Sequence, residues 1–172
     1  MKFDLAKSVQ ILERTPVVLE DILQNVSDEW TMHNEGGDTW SSYDIVGHLI
    51  HVERTNWMER LEIILHKEDK KFIPLDRFAQ FKESEVKSLQ QLLSVFSALR
   101  KENLQKLKSF HLTEDDLNKT GIHPEFGDVT LRQLLSTWTI HDLTHIAQIT
   151  RVMAKQYKEA IGPWIKYFRV MQ

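Results

Sequence analysis

The chain contains no cysteine among its 172 residues. This absence excludes disulfide bonds, cysteine nucleophiles and thiolate metal sites. Any bound metal ion must therefore be held by histidine nitrogens or carboxylate oxygens. Such ligands suit zinc, nickel or iron better than copper(I) or an iron–sulfur cluster.

A long apolar run and a charge of one sign are also missing. No stretch approaches the roughly 18 apolar residues that a membrane-spanning helix needs, and the N-terminus lacks the apolar segment of a signal peptide. The 22 basic and 25 acidic residues give a net charge of −3, and no basic patch indicates a nucleic-acid partner. We therefore expect a cytoplasmic protein with neither a membrane nor a nucleic-acid partner.

Apolar residues recur at helical spacing, and no segment alternates as a strand does. The length predicts a single domain over residues 1–172 with a real core. Four long helices are predicted, at residues 4–26, 41–66, 84–110 and 130–153, with irregular connections at 27–40, 67–81 and 111–128. Pro16 either kinks the first helix or divides it after Thr15. Four long helices imply an all-α bundle.

Local signals mark several ends of these elements. Ser41 with Asp44, and Thr130 with Gln133, have the spacing of capping boxes that begin helices. The pair Gly162-Pro163 predicts a stop followed by a short C-terminal helix.

Some side chains have a predicted environment. Tryptophans in the 27–40 connection are expected to cap the core, with the mouth of a pocket as the alternative. The polar residues 100–103 are expected to face solvent. The aromatic residues Trp164, Tyr167 and Phe168 near the C-terminus are expected to cover the core or a subunit contact.

Three histidines lie on the apolar faces of two predicted helices. At 100° per residue, His145 lies about 40° from His141, on the face of Trp138. His48 shares its face with Val52 in the second long helix. All three imidazoles are therefore predicted to point inward.

Two interpretations of these histidines remain open. Each could be a buried histidine with an ordinary hydrogen-bond partner. Alternatively, His48, His141 and His145 could bind one metal ion through three nitrogens, which leaves coordination positions for water or substrate as in catalytic sites. A bound ion would lower the pKa of a coordinated water or thiol and so produce a nucleophile at neutral pH.

Several neighbours are candidates for supporting roles. Side chains that could orient a ligand ring are those of Asp142, Thr144 and Gln148. Candidate pocket residues are Asn56, Glu59, His51 and Arg151, although His51 is expected at a flanking or solvent position. The segment from His141 to His145 differs from the zinc-protease motif because Asp142 replaces the glutamate base, so a peptidase is not predicted.

Two segments resemble the signature segments of the DinB-like superfamily. They are Trp40-Ser41 with Gly47-His48-Leu49, and Thr130-Leu-Arg-Gln-Leu-Leu with His141-Asp-Leu-Thr-His145-Ile-Ala-Gln148. The resemblance implies an up-down-down-up four-helix bundle and a divalent metal ion, commonly zinc or nickel. Its ligands would be His48, His141 and His145.

The same resemblance carries expectations about function. Members are often dimers, so a homodimer is expected. Characterised members include transferases that use a low-molecular-weight thiol, and maleylpyruvate isomerases. We therefore expect an enzyme in which the metal activates such a thiol, or water, for transfer to or hydrolysis of a small-molecule substrate. The alternative is a non-catalytic metal-binding or stress-associated protein of the same fold.

Overall fold

The computed structural model describes residues 1–76, 78–79, 81 and 86–172, which are mostly helical. The elements in chain order are α1 (Leu5–Leu23), α2 (Asp28–Met32), α3 (Ser42–Thr55), α4 (Trp57–His66), α5 (Leu89–Ser109), α6 (Glu114–Asn118), β1 (Thr120–His123), β2 (Gly127–Thr130) and α7 (Leu131–Lys155). Two 3₁₀ helices follow, at Gly162–Tyr167 and Arg169–Met171.

Capping boxes begin three of the long helices. Both predicted boxes are confirmed, since the side chain of Ser41 accepts from the backbone N–H of Asp44 before α3, and that of Thr130 accepts from Gln133 before α7. A third box, at Ser88, begins α5 at Leu89. The predicted start at residue 84 lies outside the described residues, but residues 86–88 are not helical.

Pro16 does not divide α1, which runs without interruption from Leu5 to Leu23. Proline has no N–H to donate to the carbonyl four residues earlier, that of Leu12. Instead, Nη1 of Arg100 in α5 donates to the Leu12 carbonyl at 2.8 Å. The proline therefore leaves a backbone acceptor that a neighbouring helix uses.

The predicted helix at 41–66 is interrupted at Asn56, whose backbone angles (φ −121°, ψ −65°) are not helical. Asparagine has low helix propensity because its side chain competes for backbone hydrogen bonds. The interruption is local, since the N–H of Asn56 still bonds to Val52 and its carbonyl still accepts from Arg60. The prediction of one continuous helix was wrong by this one residue.

Two apolar clusters fill the bundle. One combines α4 with the first halves of α1 and α7 and the second half of α5; its members include Val9, Leu12, Leu61, Leu104, Leu107, Leu134 and Trp138. The other combines the second halves of α1 and α7 with the first halves of α3 and α5; its members include Leu19, Leu23, Ile45, Leu49, Leu92, Phe96, Ile149 and Val152. This sharing means that α1 and α7 run in one direction, while α3 and α5 run in the other. The predicted up-down-down-up bundle is confirmed.

The segment 111–128, predicted as a loop, contains the short helix α6 and an antiparallel hairpin in which Thr120 pairs with Thr130 and Gly121 with Val129. The expectation of no strand was wrong because four-residue strands are too short to show alternation. A Cβ at Gly121 would clash with the ring of Phe72. Glycine therefore lets the chain at Phe72 pack closely against the hairpin.

Aromatic residues near the C-terminus are largely exposed. Trp164 is 62% exposed and Tyr167 is 71% exposed, so they do not cover the core, whereas Met171 is buried. A subunit contact at these side chains stays a prediction. Among the described residues, no helix is both long and apolar enough to span a membrane.

Candidate metal centre

The three histidines converge although they come from two helices. Nε2 of His141 lies 3.2 Å from Nε2 of His48 and 3.2 Å from Nε2 of His145. One nitrogen from each ring lies within 4.8 Å of the others. His48 and His145 are buried and His141 is half-buried. The bundle thus brings three potential ligands to one point.

This spacing fits one tetrahedral ion. Zinc–nitrogen bonds of roughly 2.0–2.1 Å separate two ligand nitrogens by about 3.3–3.4 Å, close to the observed 3.2 Å. Hydrogen bonds among the three rings cannot pair all of these nitrogens well, because Nε2 of His141 carries at most one hydrogen and faces two other ring nitrogens. A cation accepts all three lone pairs at once.

Gln148 orients one of the rings. Its Oε1 lies 2.8 Å from Nδ1 of His145. Since an amide oxygen can only accept, Nδ1 carries the hydrogen and the lone pair of Nε2 faces the other histidines. The prediction for Gln148 agrees with this contact. The exposed Thr144 instead donates to the carbonyl of Ile140 within its own helix.

The surroundings favour the neutral form of His141 and His145. Burial, with the nearby His145, His48 and Arg100 side chains, lowers the pKa of His141 to about 2. Burial likewise lowers the pKa of His145, although Gln148 and Asp142 oppose the change. Neutral imidazole is the form that binds metal ions.

Two tryptophans flank the group. The ring centroid of Trp40 lies 4.9 Å from that of His48, and the centroid of Trp57 lies 5.2 Å from that of His141. Trp40 also packs against the second apolar cluster, as predicted for a residue that caps the core. These apolar walls limit water access and strengthen electrostatic interactions at the site.

A second buried polar group lies beside the histidines. Nη1 and Nη2 of Arg100 each donate to one oxygen of Asp142, at 2.5 and 3.0 Å. Nη2 also donates to Oε1 of Glu53 at 2.8 Å, and Nε1 of Trp138 donates to the same oxygen at 3.0 Å. Asn103 donates to the other Glu53 oxygen at 2.8 Å. We call these five residues the arginine cluster.

The arginine cluster corrects two expectations. Arg100 is 1% exposed and Asn103 is half-buried, so the expected solvated face is wrong for these two residues, whereas Lys101 and Glu102 are exposed as expected. Both carboxyl oxygens of Asp142 accept hydrogen bonds from Arg100, and the hydrogen bond given for Nδ1 of His145 goes to Gln148 instead. Asp142 is therefore committed to Arg100 in the arginine cluster and does not orient the ring of His145.

A cavity of about 360 Å³ opens beside His141. Its lining comes from α3, α4, the 67–76 segment, the hairpin and α7, and includes Val52, Asn56, Trp57, Arg60, Phe72, Leu75, His123, Phe126, Leu134 and His141. The volume lies in the range of small-molecule sites. The histidine group therefore borders a ligand-sized space.

Of the other candidate pocket residues, only some line this cavity. Asn56 is buried and lines this cavity. Glu59 is exposed and not in the lining. His51 was expected at a flanking or solvent position, and at 5% exposure the solvent position is wrong. The helix α3 is buried continuously from residue 45 to 53, so no face there reaches solvent. Arg151 bonds to Glu35 at 2.6 Å beside a separate groove.

Sequence reasoning missed the cavity residues Arg60, Phe72, His123 and Phe126. They come from a helix face, an irregular connection and a hairpin, which meet only in the folded chain. No local spacing links such positions. The sequence offers one indication of this cavity, namely the apolar residues that flank Pro74 and Pro124 in otherwise polar connections.

Comparisons with known proteins agree with the fold. YfiT from Bacillus subtilis, a solved structure described as having an unusual four-helix bundle topology, matches with a TM-score of 0.75 and 22% sequence identity. The match covers 91% of this chain and 87% of that chain. No curated protein matches. A family model described as the DinB superfamily matches residues 11–149, and the chain belongs to this superfamily.

Proposed function

We propose that the protein is a metal-dependent hydrolase that acts on a small molecule. The observation that carries this proposal is the convergence of three buried imidazole nitrogens at the edge of a ligand-sized cavity. Three protein ligands leave at least one coordination position, which distinguishes catalytic from closed structural sites. The similar protein YfiT is described as "a probable metal-dependent hydrolase".

The protein's own residues would hold and shape the centre. His48, His141 and His145 would bind zinc or nickel, with His145 kept in one orientation by Gln148. A bound divalent ion lowers the pKa of coordinated water and so supplies a nucleophile at neutral pH. Trp57 would exclude bulk water, and the Asn56 amide would donate a hydrogen bond to a polar substrate atom.

A low-molecular-weight thiol is the second candidate for the nucleophile. Among the described residues that line the cavity, the one carboxylate belongs to Glu125, which is exposed. Attack by water usually needs a general base, whereas a thiol bound to a metal ion is deprotonated outright. This observation favours thiol transfer over a reaction that depends on a buried carboxylate base.

One screen separates these reactions. Zinc-loaded and nickel-loaded protein would be assayed on ester and amide substrates, and with glutathione or cysteine plus a chlorodinitrobenzene electrophile. We expect hydrolysis that disappears after chelation and in His48→Ala. The exposed His33 supplies a matched control, His33→Ala, which should stay active. Metal-dependent conjugation without hydrolysis would favour thiol transfer, and neither activity would favour the non-catalytic alternative.

A further inference from the structure

The cavity beside His141 has aromatic walls, and polar side chains from several elements interrupt them: Asn56, Arg60, His123, Glu125, Gln133, Thr137 and His141. Trp57 is buried and packs edge-on against His141, while Phe72 packs edge-on against His123 and Phe126 stacks on His123 with 4.6 Å between ring centroids. Such walls suit a flat apolar body. The polar side chains among these walls then determine which ligand enters and how it is oriented.

Arg60 is the described cation of this lining. It follows Trp57 by three residues in α4, so its Cα lies about 4.5 Å further along the helix on the same side. Its Cζ lies 5.0 Å from the centroid of the Phe72 ring. The cavity therefore extends from the metal centre past Trp57 to a guanidinium group.

Within the described part of the chain, this guanidinium makes few polar contacts. Its one hydrogen bond there is a long contact from Nη2 to the carbonyl of Ile73, at 3.5 Å. No described carboxylate forms an ion pair with Arg60; the adjacent Glu59 acts on it only through space. Burial lowers the pKa of Arg60 despite that neighbour. A half-buried arginine with free donors is suited to bind an anion.

Other charged or titratable groups of the lining leave this possibility open. His123 has its pKa lowered by burial and by Arg60, with Glu125 opposing the change, so it is neutral at pH 7. Glu125 is exposed, where solvent screens its charge. Among the described lining residues, Arg60 therefore provides the positive charge.

We infer that Arg60 binds a carboxylate group of the substrate, with a flat apolar body lying along Trp57 and Phe72 and the reacting group at the histidines. The planar guanidinium matches a carboxylate through two parallel hydrogen bonds. This assignment of substrate class rests on the proposed function, because the histidine end is taken as the reacting end. The inferred substrates are small apolar or aromatic carboxylic acids that carry a hydrolysable group.

A binding experiment tests this inference without requiring turnover. Zinc-loaded protein would be titrated by calorimetry with 3-phenylpropionate and with its uncharged relative 3-phenylpropanamide. We expect the acid to bind at least about ten times more tightly, since hydrogen bonds between charged groups are the stronger ones. Arg60→Gln should abolish that preference, and Arg60→Lys should restore part of it. Arg132→Gln, a surface arginine paired with Glu114, should leave it unchanged.

Several outcomes would overturn the assignment. Equal affinity for acid and amide, or no binding of the acid to the wild type, would do so. Unchanged affinity for the acid in Arg60→Gln, combined with its loss in His48→Ala, would place the carboxylate on the zinc ion instead. Circular dichroism and the melting temperature of each variant would show that it is folded.

The same titration keeps the two proposals separable. If no substrate is hydrolysed but acid binding depends on Arg60, the proposed reaction fails while the binding site stands. If hydrolysis depends on the metal but acid binding does not depend on Arg60, the proposed reaction stands and the assignment of the carboxylate site fails. In active protein, Arg60→Gln should raise KM for acidic substrates by about 10–100-fold and leave neutral ones nearly unchanged.

Discussion

The arginine cluster and the three-histidine group are neighbours that share α3 and α7. The carboxyl groups of the cluster are fully paired within the chain, whereas the histidine group is open to a cavity. Glu53 and Asp142 have partners on both carboxyl oxygens, all supplied by the chain itself. The histidines direct nitrogens at one another, and His141 also lines the adjacent cavity. Buried polar groups of opposite charge satisfy each other, whereas converging lone pairs need a cation from outside.

We infer from this difference that the buried polar groups of the arginine cluster stabilise the fold, whereas the histidines serve function. His141 and Asp142 are adjacent in α7 but lie in different groups, because successive helical residues point about 100° apart. The cluster joins α3, α5 and α7 and also binds the Leu12 carbonyl of α1. All four long helices meet there, so it should determine stability, while the histidines should determine metal binding.

The largest effect should follow from Arg100→Met, which leaves two buried carboxyl groups without their cation. Breaking a buried ion pair in this way costs about 3–5 kcal/mol, so the free energy of unfolding measured in urea should fall by that amount. Arg132→Met, at the exposed pair with Glu114, is the control and should cost about 1 kcal/mol or less. Similar losses in both variants would contradict a structural role for the cluster.

Gln148→Leu should act on the metal centre and not on the fold. It removes the acceptor that orients His145, and loss of such a contact typically weakens metal binding by about 10–100-fold. Competition with a chromophoric chelator would measure the affinity. Thr144→Val, one turn away on an exposed position, should change it little. Equal affinity in wild type and Gln148→Leu would mean that the ring is held by packing alone.

The smallest effect concerns pH. The pKa of His141 is about 2 in the folded protein, below its ordinary value of 6.5 in the unfolded chain. Below about pH 6.5 the unfolded chain therefore binds a proton that the metal-free native state does not, and stability falls as the pH falls. Between about pH 7.5 and 5.5 the contribution of His141 is about 1.4 kcal/mol.

Urea unfolding of metal-free protein at both pH values would test this expectation. The free energy of unfolding should decrease by about 1.4 kcal/mol more in the wild type than in His141→Gln, since the other titrating groups are common to both. An equal decrease in both proteins would show that His141 is protonated in the native state.

Much of the fold could be predicted from the sequence because its signals are local. The capping boxes at Ser41 and Thr130 and the apolar spacing of α7 depend on residues within a few turns. The inward histidines could be predicted for the same reason. Their meeting at one point depends on the approach of α3 to α7, which only the family resemblance implied.

The arginine cluster and the cavity could not be predicted in this way. Arg100 lies in a polar stretch that resembles a solvated face, and its partners are 42 to 88 residues distant in the chain. Burial of such a residue depends on carboxyl groups contributed by other helices. Arg60 and Phe72 likewise share a cavity through the packing of an irregular connection on a hairpin.

The most direct test of the open histidine group is metal content. Tag-free wild type, His48→Ala and the surface control His33→Ala would be analysed for transition metals, before and after incubation with zinc or nickel and removal of excess ion. We predict about one equivalent in the wild type and in His33→Ala, and loss of the ion in His48→Ala with unchanged helical content. A wild type that neither contains nor takes up metal would contradict the account, and the histidines would then be ordinary core residues.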